Sequence, residues 1–410
     1  MKKLIKNLSI VELQDFFYEY SQPKYRAEQV FKELYLNRVS DFSAMTTIPK
    51  DFREILDTNF HINSITEYQT QKSADGTIKF LFQLRDGQKI ESVLIPDERR
   101  KSFDKLKMTE TEKLRMTETD KLRMTETVKL RMTETDKLRM TETDKLRMTE
   151  TDKLKMTETN KLRMTLCVSS QVGCTLNCTF CATGKLGFKR NLETAEIIDQ
   201  MLFAEKVAGV KLSNIVFMGM GEPTYNLANV IKAIKIISSP NNQLLSPKRI
   251  TVSTVGVVKK IRELADSGLK VKLAVSLHAT NDLIRQQLMP YAERVTLKAI
   301  GDAIEYYYRK TKLDITYEYI LLPGINNTDN DVKRLSKITK RVPSKVNIIP
   351  YHSISFIEGS NTPYKEPTKD EIKTFTEKLK VEGVNVFLRT SSGKDIDAAC
   401  GQLAYSQRNS

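Results

Sequence analysis

Cys174, Cys178 and Cys181 fall in the stretch "CTLNCTFCATG", with three and then two residues between them. Thiolates at these spacings on one tight loop can face a common centre and bind a soft metal or an iron–sulfur cluster. Three nearby ligands leave the coordination incomplete; in an iron–sulfur cube, one iron stays open to an exogenous ligand. The alternative is a zinc site closed by a histidine. Only His61, His278 and His352 could close it, and none has knuckle-like spacing from the cysteines. Two further thiols, Cys167 and Cys400, stand outside the loop. On their own, these read as a buried strand cysteine and a stray helical one. Four cysteines crowded into 15 residues and one near the end do not make a disulfide framework.

Other unusual polar clusters recur along the chain as "GMGEP", "STVG", "SLHA", "LLPGIN" and "NIIPYH". Each follows an apolar, β-branched run, the place where α/β folds put their sites. The runs are "TLCVSSQV", "SNIVFMGM", "RITVSTVG", "KVKLAVSLH", "DITYEYILL", "KVNIIPYH" and "VNVFLRT". Amphipathic helical segments lie between them. Six βα units plus a final strand are too few for an eight-fold barrel and suit an open, partial (βα)6 barrel or a doubly wound sheet.

Upstream, residues 1–60 read as short helices forming a small accessory module. Residues 61–107 carry a β-hairpin signal, two alternating apolar runs joined by Asp86-Gly87. At 108–163 the unit MTET(D/E/V/N)KL(R/K) occurs seven times. Eight residues turn a helix through about 800°, so Met and Leu drift about 80° per unit and no stripe forms. A flexible or partly helical insertion is expected there. The barrel then runs over 164–390, and 391–410 is a C-terminal segment carrying Cys400.

The net charge of +15 is concentrated in 164–410, which holds 34 basic and 23 acidic residues. A polyanionic partner is expected. Lys185, Lys189 and Arg190 in "GKLGFKR" stand next to the cluster loop, where they could hold phosphates. No run of about 18 apolar residues appears, and the N-terminus lacks a signal-peptide core, so a cytoplasmic chain is expected.

The cysteine loop, with Phe180 before its last cysteine, resembles the cluster loop of the radical S-adenosylmethionine (radical SAM) superfamily. "LCVSSQVGCTLNCTFCATGKLGFKRNL", "MGMGEP", "VSTVG", "SLHA", "NIIPYH" and "DIDAACGQLA" in this order are similar to the dual-specificity 23S rRNA and tRNA adenine-2 methyltransferases, the RlmN type. The resemblance covers residues 1 to about 100 and 164 to about 405, everything but the repeat. It implies a partial radical SAM barrel in which Cys174, Cys178 and Cys181 hold a [4Fe-4S] cluster. The open iron would chelate S-adenosylmethionine, with Gly221 and Glu222 at its amino group. Ser253, Ser276, Leu277, His278 and Asn347 would line the rest of the cofactor.

The implied target is carbon 2 of adenosine 2503 in 23S rRNA and of adenosine 37 in tRNA. That carbon is electrophilic and has no acidic proton, so a polar methyl transfer has no nucleophile; the family's solution is covalent catalysis. Cys400 would take a methyl group from one S-adenosylmethionine. A second, cleaved reductively at the cluster, would generate the radical that activates this methyl for addition to the base. Glu91 in "KIESVLIP" would accept the carbon 2 proton, and Cys167 would attack Cys400 to release the product as a disulfide forms. Flavodoxin or ferredoxin is the expected electron donor, and a monomer the expected state. The carbon 8 methyltransferases of the Cfr type use the same cysteines, and a non-catalytic RNA-binding relative is the bland alternative.

Overall fold

The computed structural model describes residues 2–96, 163–241, 244–357, 362–389 and 392–404. Residues 1–95 and 165–410 form one compact unit, and 96–164 a second. The octapeptide repeat, apart from Arg163, lies outside the described residues.

The chain opens with β1 (Lys3–Leu4) and three helices, α1 (Ile10–Glu19), α2 (Tyr25–Lys32) and α3 (Lys50–Asn59), before β2 (Phe60–His61) pairs with β1. Helix α1 starts where Ser9 and Glu12 close a reciprocal capping box. The module's core is aromatic: Phe17 meets Phe52 at 4.5 Å between centroids and Phe16 meets Phe60 at 4.9 Å.

Next come β3 (Ile65–Lys72), β4 (Ile78–Leu84) and β5 (Lys89–Pro96), paired antiparallel. The two-stranded hairpin expected from the sequence thus has a third strand. Beyond the repeat follow β6 (Met164–Cys167), β7 (Gln171–Gly173), helix α4 (Ala182–Lys185), β8 (Phe188–Asn191) and helix α5 (Thr194–Ala208). Then alternate β9 (Asn214–Phe217), α6 (Leu227–Ile237), β10 (Ile250–Thr254), α7 (Val258–Asp266), β11 (Lys272–Ser276), α8 (Asp282–Leu288), α9 (Leu297–Thr311), β12 (Ile315–Leu321), α10 (Asp329–Thr339), β13 (Ser344–Pro350), α11 (Lys369–Val381) and β14 (Val386–Leu388).

Strands β14-β13-β12-β11-β10-β9-β6-β5-β4-β3 make one ten-stranded sheet. The β6 and β9–β14 portion is parallel, the partial barrel expected from the sequence. Its interior strand β12 is buried along its whole length, as both faces of a covered parallel sheet require.

The run "TLCVSSQV" is not one strand. It breaks after Cys167, and Gln171–Gly173 pair with β8 in a separate two-stranded sheet. Across the break, Ser169 N donates to Gln200 and its hydroxyl to the Glu91 carbonyl, so these groups are paired outside any ladder. That contact also shows that the start of β5 lies beside the end of β6. The two neighbouring strands therefore run in opposite directions, and their inner ends, at Pro96 and Met164, are adjacent.

Candidate active site

At the C-terminal ends of the parallel strands lies a cleft enclosing about 860 Å³ of space, its open mouth included. Cys174, Cys178 and Cys181 line it, together with Gly221, Glu222, Ser253, Ser276, His278 and Cys400. Leu277, Asn347, Cys167 and Glu91 do not line it; they stand behind its walls.

The cluster loop is fixed locally. Cys181 N donates to the Cys178 carbonyl at 3.1 Å, and Cys174 N to the Gly187 carbonyl at 3.0 Å. Burial pushes the Cys174 thiol up to about 12, and raises Cys178 and Cys181 as well. An apolar wall disfavours free thiolates, so a metal's charge has to stabilise them. Among the described residues, no three His, Cys, Asp or Glu side chains close tightly enough for a single metal ion. A cube of four irons holds its thiolates farther apart than one tetrahedral ion does. Three free thiols ringing a cleft therefore fit the cluster better than zinc.

The opposite wall is built from the "GMGEP" turn. Gly221 has a φ of +94°, and a Cβ there would come within 2.4 Å of Gln171, so only glycine allows this approach. The Glu222 N–H donates to Gln171 at 2.8 Å. The Glu222 carboxylate is held from two sides: Thr224 donates to Oε1, and Val255 N donates to Oε2 at 3.0 Å, which leaves Oε2 room for a further donor. Burial raises its carboxyl against these donors.

His278 lies above Phe180, edge to face at 4.9 Å. Its own φ is +56°, a strained conformation for a side-chain residue. Burial drives the imidazole down to about 3, so it is neutral. Nδ1 accepts from Ile320 N at 3.1 Å, which leaves the proton on Nε2.

Behind this cleft a second constellation assembles from distant parts of the chain. Cys167 ends β6 and is buried, near enough to Cys400 for the two to interact electrostatically. The Cys167 thiol is pushed to about 12 by burial and then by Cys400, against a weaker pull from Arg389. Both thiols are free, not bridged. The Cys400 segment is clasped from several sides. Asp75 accepts from Gly393 N at 2.8 Å, Ser73 donates to Asp395 at 2.6 Å, Ala182 N donates to the Gly401 carbonyl at 2.7 Å, and Gln402 donates to the Ser353 carbonyl at 3.2 Å.

Glu91 faces the same segment from β5. It is buried, paired with Lys79 at 3.5 Å, and its Oε2 has no hydrogen-bond partner. Burial pushes its carboxyl up; Lys79 opposes this, Asp397 reinforces it, and the Ala404 N–H opposes it weakly.

Several residues here escaped the sequence. Glu318 on β12 lines the cleft, is 3% exposed, and accepts from Asn347 at 3.0 Å, while its Oε2 has no hydrogen-bond partner. This bond is the link of Asn347 to the cleft. Arg389, just after β14, lines the cleft 3.8 Å from Glu318 Oε2 and is held charged by Cys400 and Glu318. Arg285 is wholly buried and donates to the carbonyls of Val255, Ser276 and Leu277, tying the ends of two neighbouring strands together. Of the basic triplet, Arg190 is engaged by Asp86 and Glu196. Lys185 reaches Asn177 at 3.5 Å.

Residues 168–335 match the family model of the radical SAM superfamily, and residues 5–62 the model described as the ribosomal RNA large subunit methyltransferase N-terminal domain. The chain is 39% identical to a probable dual-specificity RNA methyltransferase RlmN of Flavobacterium johnsoniae, with 98% of this chain and 97% of that one covered. It is 36% identical to a dual-specificity RNA methyltransferase RlmN of Geotalea uraniireducens, with 97% and 96% covered. A crystal structure of a radical SAM methyltransferase from Sphaerobacter thermophilus superposes with a TM-score of 0.77 at 32% identity, covering 98% of this chain and 99% of that one. No helix among the described residues is long and apolar enough to cross a membrane. The radical SAM fold brings with it a [4Fe-4S] cluster and S-adenosylmethionine, for which the three thiols and the Glu222 turn are suited. The chain belongs to the RlmN family of radical SAM RNA methyltransferases.

Proposed function

We propose that this enzyme methylates carbon 2 of an adenine in 23S rRNA and tRNA, using Cys400 as the methyl carrier. The observation that carries this reading is that the fold brings Cys400 within electrostatic reach of Cys167, 233 positions away, on a C-terminal segment that also faces the buried carboxylate of Glu91. When bound, the cluster and S-adenosylmethionine would supply the one-electron chemistry that makes an unactivated methyl group reactive. Cys174, Cys178 and Cys181 hold the cluster, and Glu222 and Gly221 receive the amino end of the cofactor. His278 closes the cleft wall as a neutral group, while Ser253, Ser276, Leu277 and Asn347 shape the remainder.

Cys400 lines the cleft, where it can accept a methyl group and present it to the base. Glu91 takes the proton that carbon 2 loses. Cys167 gives up its proton and attacks the Cys400 sulfur; the S–S bond forms as the bond from that sulfur to the methylene carbon breaks, and the carbon keeps the electron pair and takes up a proton, so the methylated base leaves. Burial keeps Cys167 protonated at rest, so it stays inert until that stage. The basic excess of the barrel region suits an RNA substrate. A small acidic electron carrier of the flavodoxin or ferredoxin class, a monomeric enzyme and a cytoplasmic location complete the proposal.

The test is anaerobic reconstitution with iron and sulfide, followed by mass spectrometry of nucleosides from incubated 23S rRNA. A 2-methyladenosine product is expected. A product methylated only at carbon 8 would transfer the enzyme to the Cfr-type reaction. An intact cluster spectrum with no product would leave it an RNA-binding relative.

A further inference from the structure

The ion pair behind Glu91 bears on how the proton acceptor is kept ready. In the antiparallel β4–β5 register Leu81 stands opposite Glu91 and Lys79 opposite Val93. Lys79 and Glu91 are therefore diagonal neighbours on one face of the sheet. The other face is apolar, with Phe80 and Phe82 packed on Phe203 of α5. The Lys79–Glu91 face is roofed by the C-terminal segment: Lys79 Nζ also reaches the Asp397 carbonyl at 3.4 Å, three residues before Cys400. Both side chains are buried, at 8% and 4% exposure.

A buried carboxylate without a counter-charge becomes a neutral acid. A neutral acid cannot take a proton from carbon. The charged groups facing Glu91 are Lys79 from β4 and Asp397 from the C-terminal segment. From the β9 side the Met220 sulfur accepts its N–H. Of the charged groups Lys79 alone favours the carboxylate, and the Ala404 N–H adds a weaker pull in the same direction. Oε1 faces Lys79, which leaves Oε2 without a partner and able to receive a proton.

We propose that Lys79 is a positioning residue of the methyl transfer: its ammonium holds Glu91 as a carboxylate and ties it to the segment that carries Cys400. The inference rests on the reading of Glu91 as proton acceptor. In that step the carbon–hydrogen bond breaks, its electron pair stays with the ring, and a new O–H bond makes Glu91 neutral. Lys79 touches neither base nor cofactor; it sets the state from which Glu91 acts.

The test uses full-length reconstituted enzyme with Lys79→Met, Lys79→Arg and Glu91→Gln side by side. Iron content and methylation of Cys400, read by intact mass, are expected to match wild type in all three. Without Lys79 the Glu91 carboxyl rises, so its ionised form is lost at higher pH than before. The acidic limb of kcat against pH is expected to move up by about one unit or more in Lys79→Met, with turnover near neutrality down roughly tenfold. A covalent protein–RNA adduct accumulates, and Lys79→Arg restores most of the turnover. A Lys79→Met enzyme with the wild-type pH profile overturns the proposal. If Glu91→Gln turns over normally, the proton-acceptor reading itself falls; if Glu91→Gln stalls and Lys79→Met does not, only the role of Lys79 falls. Should Lys79→Met lose its iron, infrared difference spectra of wild type against Glu91→Gln still decide. An ionised Glu91 at pH 7 supports the proposal, and a carboxylic acid C=O band overturns it.

Discussion

The enzyme holds two sets of cysteines built on opposite principles. Cys174, Cys178 and Cys181 lie within eight consecutive residues, and the loop is shaped by a bond of its own, Cys181 N to the Cys178 carbonyl, with Thr179 N anchored on the Leu288 carbonyl. Cys167 and Cys400 come within electrostatic reach of one another only because β6, the β3–β4 turn, helix α4 and the C-terminal segment are in place. A local site depends on one turn, whereas an assembled one depends on the whole tertiary structure. Assembly also allows separate control: the local set can bind its cluster while the assembled pair awaits substrate.

The sharpest break between the two sets comes from single substitutions. Cys178→Ala is expected to abolish both iron binding and methylation. Cys400→Ala is expected to abolish methylation with iron content unchanged, measured by iron assay and nucleoside mass spectrometry. Iron lost from Cys400→Ala would show that the two sets are not separable. Cys167→Ala should stop one step later, leaving RNA covalently attached to protein on a denaturing gel. Free methylated RNA at the normal rate would remove Cys167 from the resolving role.

A milder effect is expected from loosening the assembly alone. Asp75 joins Gly393 and Thr77 through both carboxylate oxygens, at 2.8 Å each. Asp75→Ala removes hydrogen bonds worth about 1 kcal/mol each. A several-fold fall in turnover is expected, with the cluster spectrum unaltered; loss of the cluster would instead tie this turn to the local set. The smallest effect should follow deletion of 108–163. If the repeat is a flexible connection, shortening it about sixfold stabilises the fold by roughly 1.5 kcal/mol, at about 0.6 kcal/mol per halving. Activity should persist, and a lower urea midpoint would show that the repeat packs against something.

The same contrast explains what could be read from the sequence. The cluster loop and "GMGEP" announced themselves because their chemistry is local: spacing of thiols, and a glycine where Gln171 leaves no room for a Cβ. The parallel strands were legible for a similar reason, since covered strands such as "ITYEYIL" are apolar or aromatic throughout. Lys79 was not legible. In "TIKFLFQL" a lysine at an alternating position reads as facing water, and only the C-terminal segment folding over it makes it buried. Glu318 and Arg389 were hidden likewise, each an ordinary strand residue until the cleft forms around it. The break in "TLCVSSQV" was missed because its cause is distant: Gln200 and Met220 supply the hydrogen bonds that a ladder would have given.

The adjacency of the inner ends of β5 and β6 carries a practical consequence. A chain that leaves the sheet at one strand end and returns at the neighbouring one asks nothing of what lies between except that it come back. Such a junction is a natural port for cargo. A fluorescent domain or an affinity handle with closely spaced termini could replace the octapeptides there. The catalytic face, at the opposite ends of β5 and β6, would then carry a reporter of its own position on the RNA.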